Sequence, residues 1–413
     1  MSAPLAIDSN RFTADLEAMN AIGWAGEEGL QRTAFSDAHV QVRAWFLERA
    51  RAAGLQTRVD SAGNHSAVYP AADPHARTLI LGSHLDSVPS GGRFDGALGV
   101  LAALEVVRCV KDAGLQLPVA LEAIDFTDEE GTILGTLGSW ALAGQLTPQM
   151  LASPRCGREL LAAEFQRMGM TEAGVLDAAR APATIAGFLE LHIEQGPVLE
   201  REGVQIGIVT GIRGNASFEV VFHGAARHAG TTPMDARRDA GLGAAALALA
   251  VRETVIRDFP GCVANVGDVR LAPGAFNVVP ARAELKLEGR SLDDAQLDTL
   301  SGALIGLAHA EAERWGLEVE VTRVGRWTPA PTHTRARQAI AAAAERLGLS
   351  AIEMPSGAGH DAQVMARITT SGMVFVPSRD GISHHRDEHS SLADCINGAN
   401  VLLGAALQLA TIR

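Results

Sequence analysis

The chain has 413 residues, which at ~150 residues per domain suggests two or three domains. Charged residues make up 20%, hydrophobic residues 47%, and 43 glycines are spread along the chain, which excludes a disordered, collagenous or coiled-coil protein. The net charge is −13, Lys occurs only at Lys111 and Lys286, and there is no basic block of the kind that nucleic-acid phosphates require.

The first residues, MSAPLAIDSNRF, hold neither a basic stretch nor an apolar core, so no secretory signal is read there. Two helices are predicted between residues 8 and 53. Asp8 or Ser9 caps the first, and Ser36 caps the second, which runs through Val40, Ala44, Leu47 and Ala50 to Gly54. A strand follows at 56–60, a buried strand at 78–82, a helix at 96–113 and another buried strand at 119–126. Residues 139–181 read as irregular helix, and 188–193 as strand. The alternation predicts an α/β fold, a mixed sheet with helices on both faces.

The pattern changes near Gly211. A strand at 217–222, a helix at 235–258, strands at 263–271 and 281–288, a helix at 292–315 and a strand at 317–324 give the order β-α-β-β-α-β. That order suggests a two-layer α+β domain inserted into the first. Thr328-Pro329-Ala330-Pro331 reads as the return linker. A helix at 334–347, a Gly-rich loop at 356–359, a strand at 373–376 and a helix at 392–411 complete the chain. The expected catalytic domain is 1–211 with 328–413, and the inserted lid or dimerisation domain is 212–327. No stretch approaches ~20 uninterrupted apolar residues, so no membrane span is expected. Cys109, Cys156, Cys262 and Cys395 form no CxxC pair, which fits a reducing, cytoplasmic setting and no cysteine metal site.

Five polar clusters follow predicted strands, where open α/β sheets place their ligands. In Gly82-Ser83-His84-Leu85-Asp86, His84 and Asp86 point the same way on an extended segment, so the carboxylate can hold one ring nitrogen while the other faces a metal. Asp95, in GGRFDG, stands at a helix mouth as a plain cap or as a carboxylate bridging two metals. Asp128-Glu129-Glu130 crowds three carboxylates after a buried strand, either as a solvated turn or around a cation. Adjacent residues there face different ways, so one can ligate while its neighbour takes a proton from water. His192 ends another strand, and 381–389 is a His-rich loop. Together these residues offer N and O donors and no sulfur, which suits one or two ions of Zn²⁺, Mn²⁺, Co²⁺ or Ni²⁺.

The set resembles the zinc aminoacylase and carboxypeptidase family of co-catalytic metallopeptidases. More narrowly it resembles the amidase branch that holds N-carbamoyl-L-amino-acid hydrolases, β-ureidopropionases, ureidoglycolate amidohydrolases and allantoate amidohydrolases. The strings that carry this are GSHLDS (82–87), GGRFDGALGVLAALE (91–105), FTDEEG (126–131), LHIEQGPVLE (191–200), HAGTTPMDARRDA (228–240), FNVVP (276–280), SGAGHDA (356–362) and GISHH (381–385). The resemblance implies two divalent ions per subunit. His84 and His192 ligate different metals, Asp95 bridges them, and Glu130 and His384 complete the set. Ser-His in the family string favours His384 over His385 and His389. Glu129 is the general base and Asp86 the partner of His84. His228, Asn277 and Arg290 of the inserted domain bind substrate. His228 stabilises the oxyanion across a dimer interface, and Arg290 clamps a carboxylate. Gln195 and His360 match further active-site positions. The implied reaction is hydrolysis of the ureido C–N bond of N-carbamoyl-L-amino acids by a homodimer, with allantoate as the nearest alternative. A dipeptidase or aminoacylase, and a non-catalytic metal-binding protein, are the more distant ones. Two departures from the family lie near the pocket: Asp128 where Asn is common, and Leu287-Glu288-Gly289 where Asp-Ile/Val precedes Arg290.

Overall fold

The computed structural model describes residues 5–411. The chain forms two compact units, Gly211–Ala330 and the remainder on either side of it. In the first unit the strands are β1 (Gln56–Val59), β2 (His65–Tyr69), β3 (Thr78–His84), β4 (Ala120–Phe126), β5 (Ile185–Ile193) and β6 (Ile206–Ile212). The second unit holds β7 (Gly214–His223), β8 (Val263–Ala272), β9 (Arg282–Ser291) and β10 (Glu318–Trp327). The chain returns through β11 (Ala330–Pro331), β12 (Ala351–Ser356) and β13 (Ser371–Val376).

The nine-stranded sheet runs β1-β2-β4-β3-β5-β13-β6-β11, with β12 also on β6. Its centre, β4-β3-β5-β13, is parallel, and antiparallel strands flank it on both sides. This is the mixed α/β sheet expected from the sequence. Alternate residues of β5 face opposite ways. Leu189 and Leu191 face the helices Ala97–Asp112, Thr334–Arg346 and Leu392–Thr411. Gly99, Gly372 and Gly398 make room there, since a Cβ on Gly398 would lie 2.7 Å from Leu191. Glu190 faces the other side, where it accepts the backbone N–H of Ala362 at the start of the short helix Asp361–Met365.

Helix Ala97–Asp112 is buried on every side, as its apolar run requires. Helix Leu392–Thr411 has 20 residues and a mean hydropathy of 1.3, long and apolar enough by length and composition to span a membrane. It instead buries Cys395, Ala399, Leu402, Leu403, Ala406 and Leu409 in the core of the unit. The caps follow the sequence: Asp8 caps helix Ser9–Ala21, and Ser36 caps Asp37–Ala52. All four cysteines are free.

The second unit is a four-stranded antiparallel sheet, β10-β7-β9-β8, packed on helices Ala240–Asp258 and Asp294–Trp315. Its apolar core includes Phe218, Phe222, Leu247, Leu285, Leu287, Leu300 and Leu304. The residues from 235 to 239, read as helix from the sequence, form a short 3-10 turn and the Asp239 cap instead. Pro233 precedes that turn, and Asp239 accepts the backbone N–H of Gly241, which fixes the helix start.

A charge sits inside the first sheet. Glu122 on β4 is fully buried and accepts Arg58, both guanidinium nitrogens of Arg180 and the Ser66 hydroxyl, all at 2.6–2.8 Å. Burial works against its charge, but Arg180, Arg58 and Ser66 win and hold its carboxyl below the usual 4.5. Its charge therefore stabilises the fold above the unfolded-state value, and that contribution is lost as pH falls through the lower folded value. Glu122→Gln is expected to cost about 3 kcal/mol near neutral pH, with the deficit shrinking in acid. Urea denaturation of both chains at neutral and acid pH measures it, and an equal deficit at both would contradict the account.

Candidate metal centre

The parallel centre of the sheet brings four strand ends to one edge. His84 ends β3 opposite Phe126, the last residue of β4. His192, near the end of β5, lies opposite Phe375 of β13. The segments after β4 and β13 carry Glu129, Glu130 and His384. Sheet register therefore gathers residues 300 apart in the chain.

Both strand-end histidines are anchored through Nδ1. The Nδ1–H of His84 donates to the Asp86 carbonyl oxygen at 3.0 Å, and that of His192 to the Ile193 carbonyl oxygen at 2.8 Å. Each Nε2 then faces Asp95, whose Oδ1 is 3.8 Å from His84 and 2.9 Å from His192. The other oxygen of Asp95 lies 3.2 Å from His384 Nε2, and His384 Nε2 lies 3.5 Å from Glu130 Oε2. Three donor groups result, each with its ligand atoms within 4.8 Å of one another: His84–Asp95–His192 and Asp95–Glu130–His384, which share Asp95, and Glu190–His192–His360, which shares His192 with the first.

This grouping corrects one expectation. His84 and His192, expected on different ions, stand in one donor group with Asp95. The reason is topological. β3 and β5 are adjacent parallel strands, so their ends lie side by side, whereas His384 arrives on the loop after β13. A second expectation changes as well. The Asp86 carboxylate is 3.8 Å from His84 Nδ1 and instead accepts the backbone N–H groups of Glu129 at 3.2 Å and Glu130 at 3.1 Å. Asp86 thus orients His84 through its carbonyl and the two glutamates through its side chain.

Glu129 stands beside the first group, its Oε2 3.6 Å from His84 Nε2. Gln195, at a left-handed φ of 56°, donates its amide to Asp95 Oδ2 at 2.9 Å and to Ser383 Oγ at 3.2 Å. His360 is buried edge-on to His192, with ring centroids 4.5 Å apart, and meets the Ser356 hydroxyl at 2.9 Å. His385 pairs with Asp387 at 3.4 Å on the surface, and His389 packs edge-on against Phe94, so neither belongs to the donor groups found.

The electrostatics call for cations. Burial, then Asp361, Glu130, Asp86 and Asp95, push the Glu129 carboxyl well above the usual range. Burial and Asp95 do the same to Glu130, against His384. Burial raises Asp86 to about 6. Burial alone would lower His192, but the hydrogen bond and charge of Asp95 raise it to about 9. Asp95 raises His384 to about 9 too, whereas burial takes His84 down to about 4. Glu130 Oε1 is buried without a hydrogen-bond partner. Crowded carboxylates, an orphaned oxygen and an N/O donor set without sulfur fit divalent cations.

Asp128, one of the departures, is turned away from this chemistry. Its carboxylate accepts the backbone N–H groups of Ile133, Leu134 and Gly135 at 2.8–3.2 Å and ties down the loop that presents the glutamates. Three supporting groups were missed from the sequence. Glu190 sits on the His192 face of β5 and accepts the Ser83 hydroxyl at 2.7 Å. Asp125 accepts the backbone N–H of Leu85 at 2.8 Å and pairs with buried Arg43 at 2.7 Å. Glu388 binds two ligand loops at once. Carboxylates inside apolar strands, as in Ala-Leu-Glu-Ala-Ile-Asp-Phe of β4, were the available signal.

Within the second unit, His228 and Asn277 are neighbours. His228 bridges to Val278, and the Asn277 carbonyl accepts the backbone N–H of Ala229 at 2.9 Å. Arg290 lies elsewhere. β9 starts at Arg282, just after the Asn277 loop, and Arg290 is eight residues further on, roughly 27 Å away at ~3.4 Å per residue. Arg290 Nε contacts Glu288 Oε1 at 2.6 Å, and Glu288 Oε2 accepts the Ser217 hydroxyl at 3.1 Å. Gly289, the other departure, lets helix Asp294–Trp315 approach, since a Cβ there would meet Leu300 at 2.9 Å.

The profile of the family described as peptidase family M20/M25/M40 matches residues 80–408. An N-carbamoyl-L-amino acid amidohydrolase of Geobacillus stearothermophilus is 37% identical over 406 residues, 98% of this chain and 99% of that one. A ureidoglycolate hydrolase of Arabidopsis thaliana is 35% identical over 412 residues, 97% of this chain and 87% of that one. A solved amidase of the hydantoinase/carbamoylase family from Burkholderia multivorans superposes with a TM-score of 0.91 at 35% identity, covering 99% of both chains.

Gly96 offers a test of the donor geometry. Its φ is 62°, and a Cβ would lie 2.3 Å from His84 Cε1. Gly96→Ala is expected to push the ring off Asp95 and weaken divalent-cation binding on the order of 10- to 100-fold, with the helical circular-dichroism signal retained. Unchanged metal content after dialysis would show that the His84 position is not part of a cation site.

Proposed function

Because the chain belongs to peptidase family M20/M25/M40, we propose that it is a metal-dependent amidohydrolase cleaving the ureido C–N bond of a small anionic ureido acid, an N-carbamoyl-L-amino acid. The observation that carries this is the pair of donor groups sharing Asp95, with Glu129 at their side. The names of the relatives support the substrate class. In this reading His84, His192 and Asp95 hold one divalent cation, and Asp95, Glu130 and His384 hold a second; Zn²⁺ suits both, as do Mn²⁺, Co²⁺ and Ni²⁺. When bound, such ions supply Lewis-acid polarisation and lower the pKa of water.

The chain's own residues do the rest. Glu129 takes the proton of the attacking water and later delivers it to the departing nitrogen. Gln195 and the Asp86 side chain hold Asp95 and the two glutamates in position. Water adds at the carbamoyl carbon, and the products are the free amino acid, carbon dioxide and ammonia. His228 stabilises the oxygen that gains charge, Asn277 binds substrate, and Arg290 receives the substrate carboxylate. His360 supports His192 from behind. Glu288 pairs with Arg290, and allantoate is the second reading. The free cysteines fit a cytoplasmic setting.

This reading includes a homodimer through the second unit. His228 and Arg290 stand at opposite ends of one sheet, a separation no small ureido acid spans, so a second copy supplies one of them to each substrate. The surface for it is the free edge β8, with Val263, Val269 and Leu271 exposed, beside helix Ala240–Asp258. That helix exposes Leu242, Leu249 and Ile256 at seven-residue spacing, the last two at 65% and 64%. Leu249→Asp is expected to yield monomers in analytical ultracentrifugation and to lower ureido-acid turnover. A wild-type monomer with full turnover would remove the dimer from the account.

The substrate is tested by ammonia release after loading with Mn²⁺ or Zn²⁺. N-carbamoyl-L-amino acids, their D forms, N-carbamoyl-β-alanine and allantoate are compared, with and without EDTA. EDTA-sensitive release from the L compounds is expected, and Glu129→Gln should cut kcat on the order of 10²- to 10⁴-fold with metal content unchanged. Release from allantoate alone would replace the substrate; full activity of Glu129→Gln would replace the base.

A further inference from the structure

Glu388 has no part in the donor groups, yet it touches both loops that feed the second one. It follows His384 by four residues and is buried. Its Oε1 accepts the backbone N–H groups of Phe94 at 2.8 Å and Asp95 at 3.0 Å. Its Oε2 accepts the Ser383 hydroxyl at 2.9 Å and the backbone N–H of His384 at 3.3 Å. Four donors thus converge on one carboxylate, and no Lys or Arg pairs with it among the described residues.

The chain makes a place for this side chain. A Cβ on Gly92 would lie 2.1 Å from Glu388 Cδ and from Oε1, so Gly92 must be glycine for the carboxylate to reach the Asp95 loop. The need for such a tie differs between the two donor groups. His84 and His192 are carried by neighbouring strands, and both rings are pinned through Nδ1 to backbone carbonyls. His384 has neither support. It lies on a loop at a left-handed φ of 56°, and half of its side chain is exposed.

We propose that Glu388 is a positioning residue that straps the Asp95 loop to the His384 loop and thereby builds the Asp95–Glu130–His384 cation site. The proposal rests on the two-ion reading above. Backbone N–H donors give a carboxylate a fixed target, so the strap sets the distance between two ligands that no strand connects. Glu388→Gln keeps the length of the side chain, but its amide N–H groups would oppose the His384 N–H, a donor facing a donor. Gly92→Ala leaves Glu388 in the chain and displaces its carboxylate.

The experiment is a Zn²⁺ titration of the full chain against a competing chelator, with melting temperature followed in parallel. Wild type is expected to bind two ions. Glu388→Gln and Gly92→Ala are each expected to weaken one ion on the order of 10- to 100-fold and the other distinctly less, since Asp95 serves both but only His384 depends on its loop. A merely structural role would weaken both ions together. Two ions at wild-type affinity in both variants, or equal weakening of both, would overturn the proposal. A wild-type chain that binds no divalent cation would overturn the two-ion reading itself, a failure visible before any variant is made.

Discussion

One carboxylate, Asp95, is shared between two sets of ligands, and most of the first unit serves to hold it there. Its Oδ1 looks at the two strand-end histidines and its Oδ2 at His384 and Gln195. A buried carboxylate with this many partners has to be held by backbone and not only by side chains. Gly96 removes the Cβ that would collide with His84, and Glu388 accepts the Asp95 backbone N–H. The parallel alignment of β4, β3, β5 and β13 supplies the rest, because it ends four strands on one edge.

The same constraint explains the buried charge around the site. Carboxylates at Asp86, Asp95, Asp125, Glu129, Glu130 and Glu190 cannot all remain ionised in a dry interior without cations. Arg43 answers Asp125, and backbone N–H groups answer Asp86 and Asp128. Neither Glu129 nor Glu130 has an Arg or Lys ion pair among the described residues, and burial with the neighbouring carboxylates raises both carboxyls.

Much of this was legible in the sequence. Apolar runs placed β3, β4 and β5, the caps Asp8 and Ser36 placed two helices, and the polar residues after each strand named the donors. The shorter strands flanking the parallel centre were harder. β2, β6 and β12 were not foreseen, and in β6 the reason is plain: Ile206–Ile212 contains two glycines that weaken the strand pattern. One of them, Gly207, is there because Phe375 and Met354 press against it. Which donors stand together was not legible either, because strand adjacency is a property of the sheet and not of spacing along the chain. Asp86 shows the same limit. Its i,i+2 spacing from His84 was right for a shared direction, but the backbone of Glu129 and Glu130 claimed the carboxylate and left the carbonyl for the ring.

The central claim is that His84 and His192 share one ion with Asp95, and that Glu130 and His384 share a second. Crystals of the metal-loaded protein, with anomalous maps collected at the Zn²⁺ or Mn²⁺ edge, test it most directly. The account predicts two peaks flanking Asp95, one contacted by both His84 and His192 and the other by Glu130 and His384. Peaks that separate His84 from His192, or a single peak away from Asp95, would contradict it.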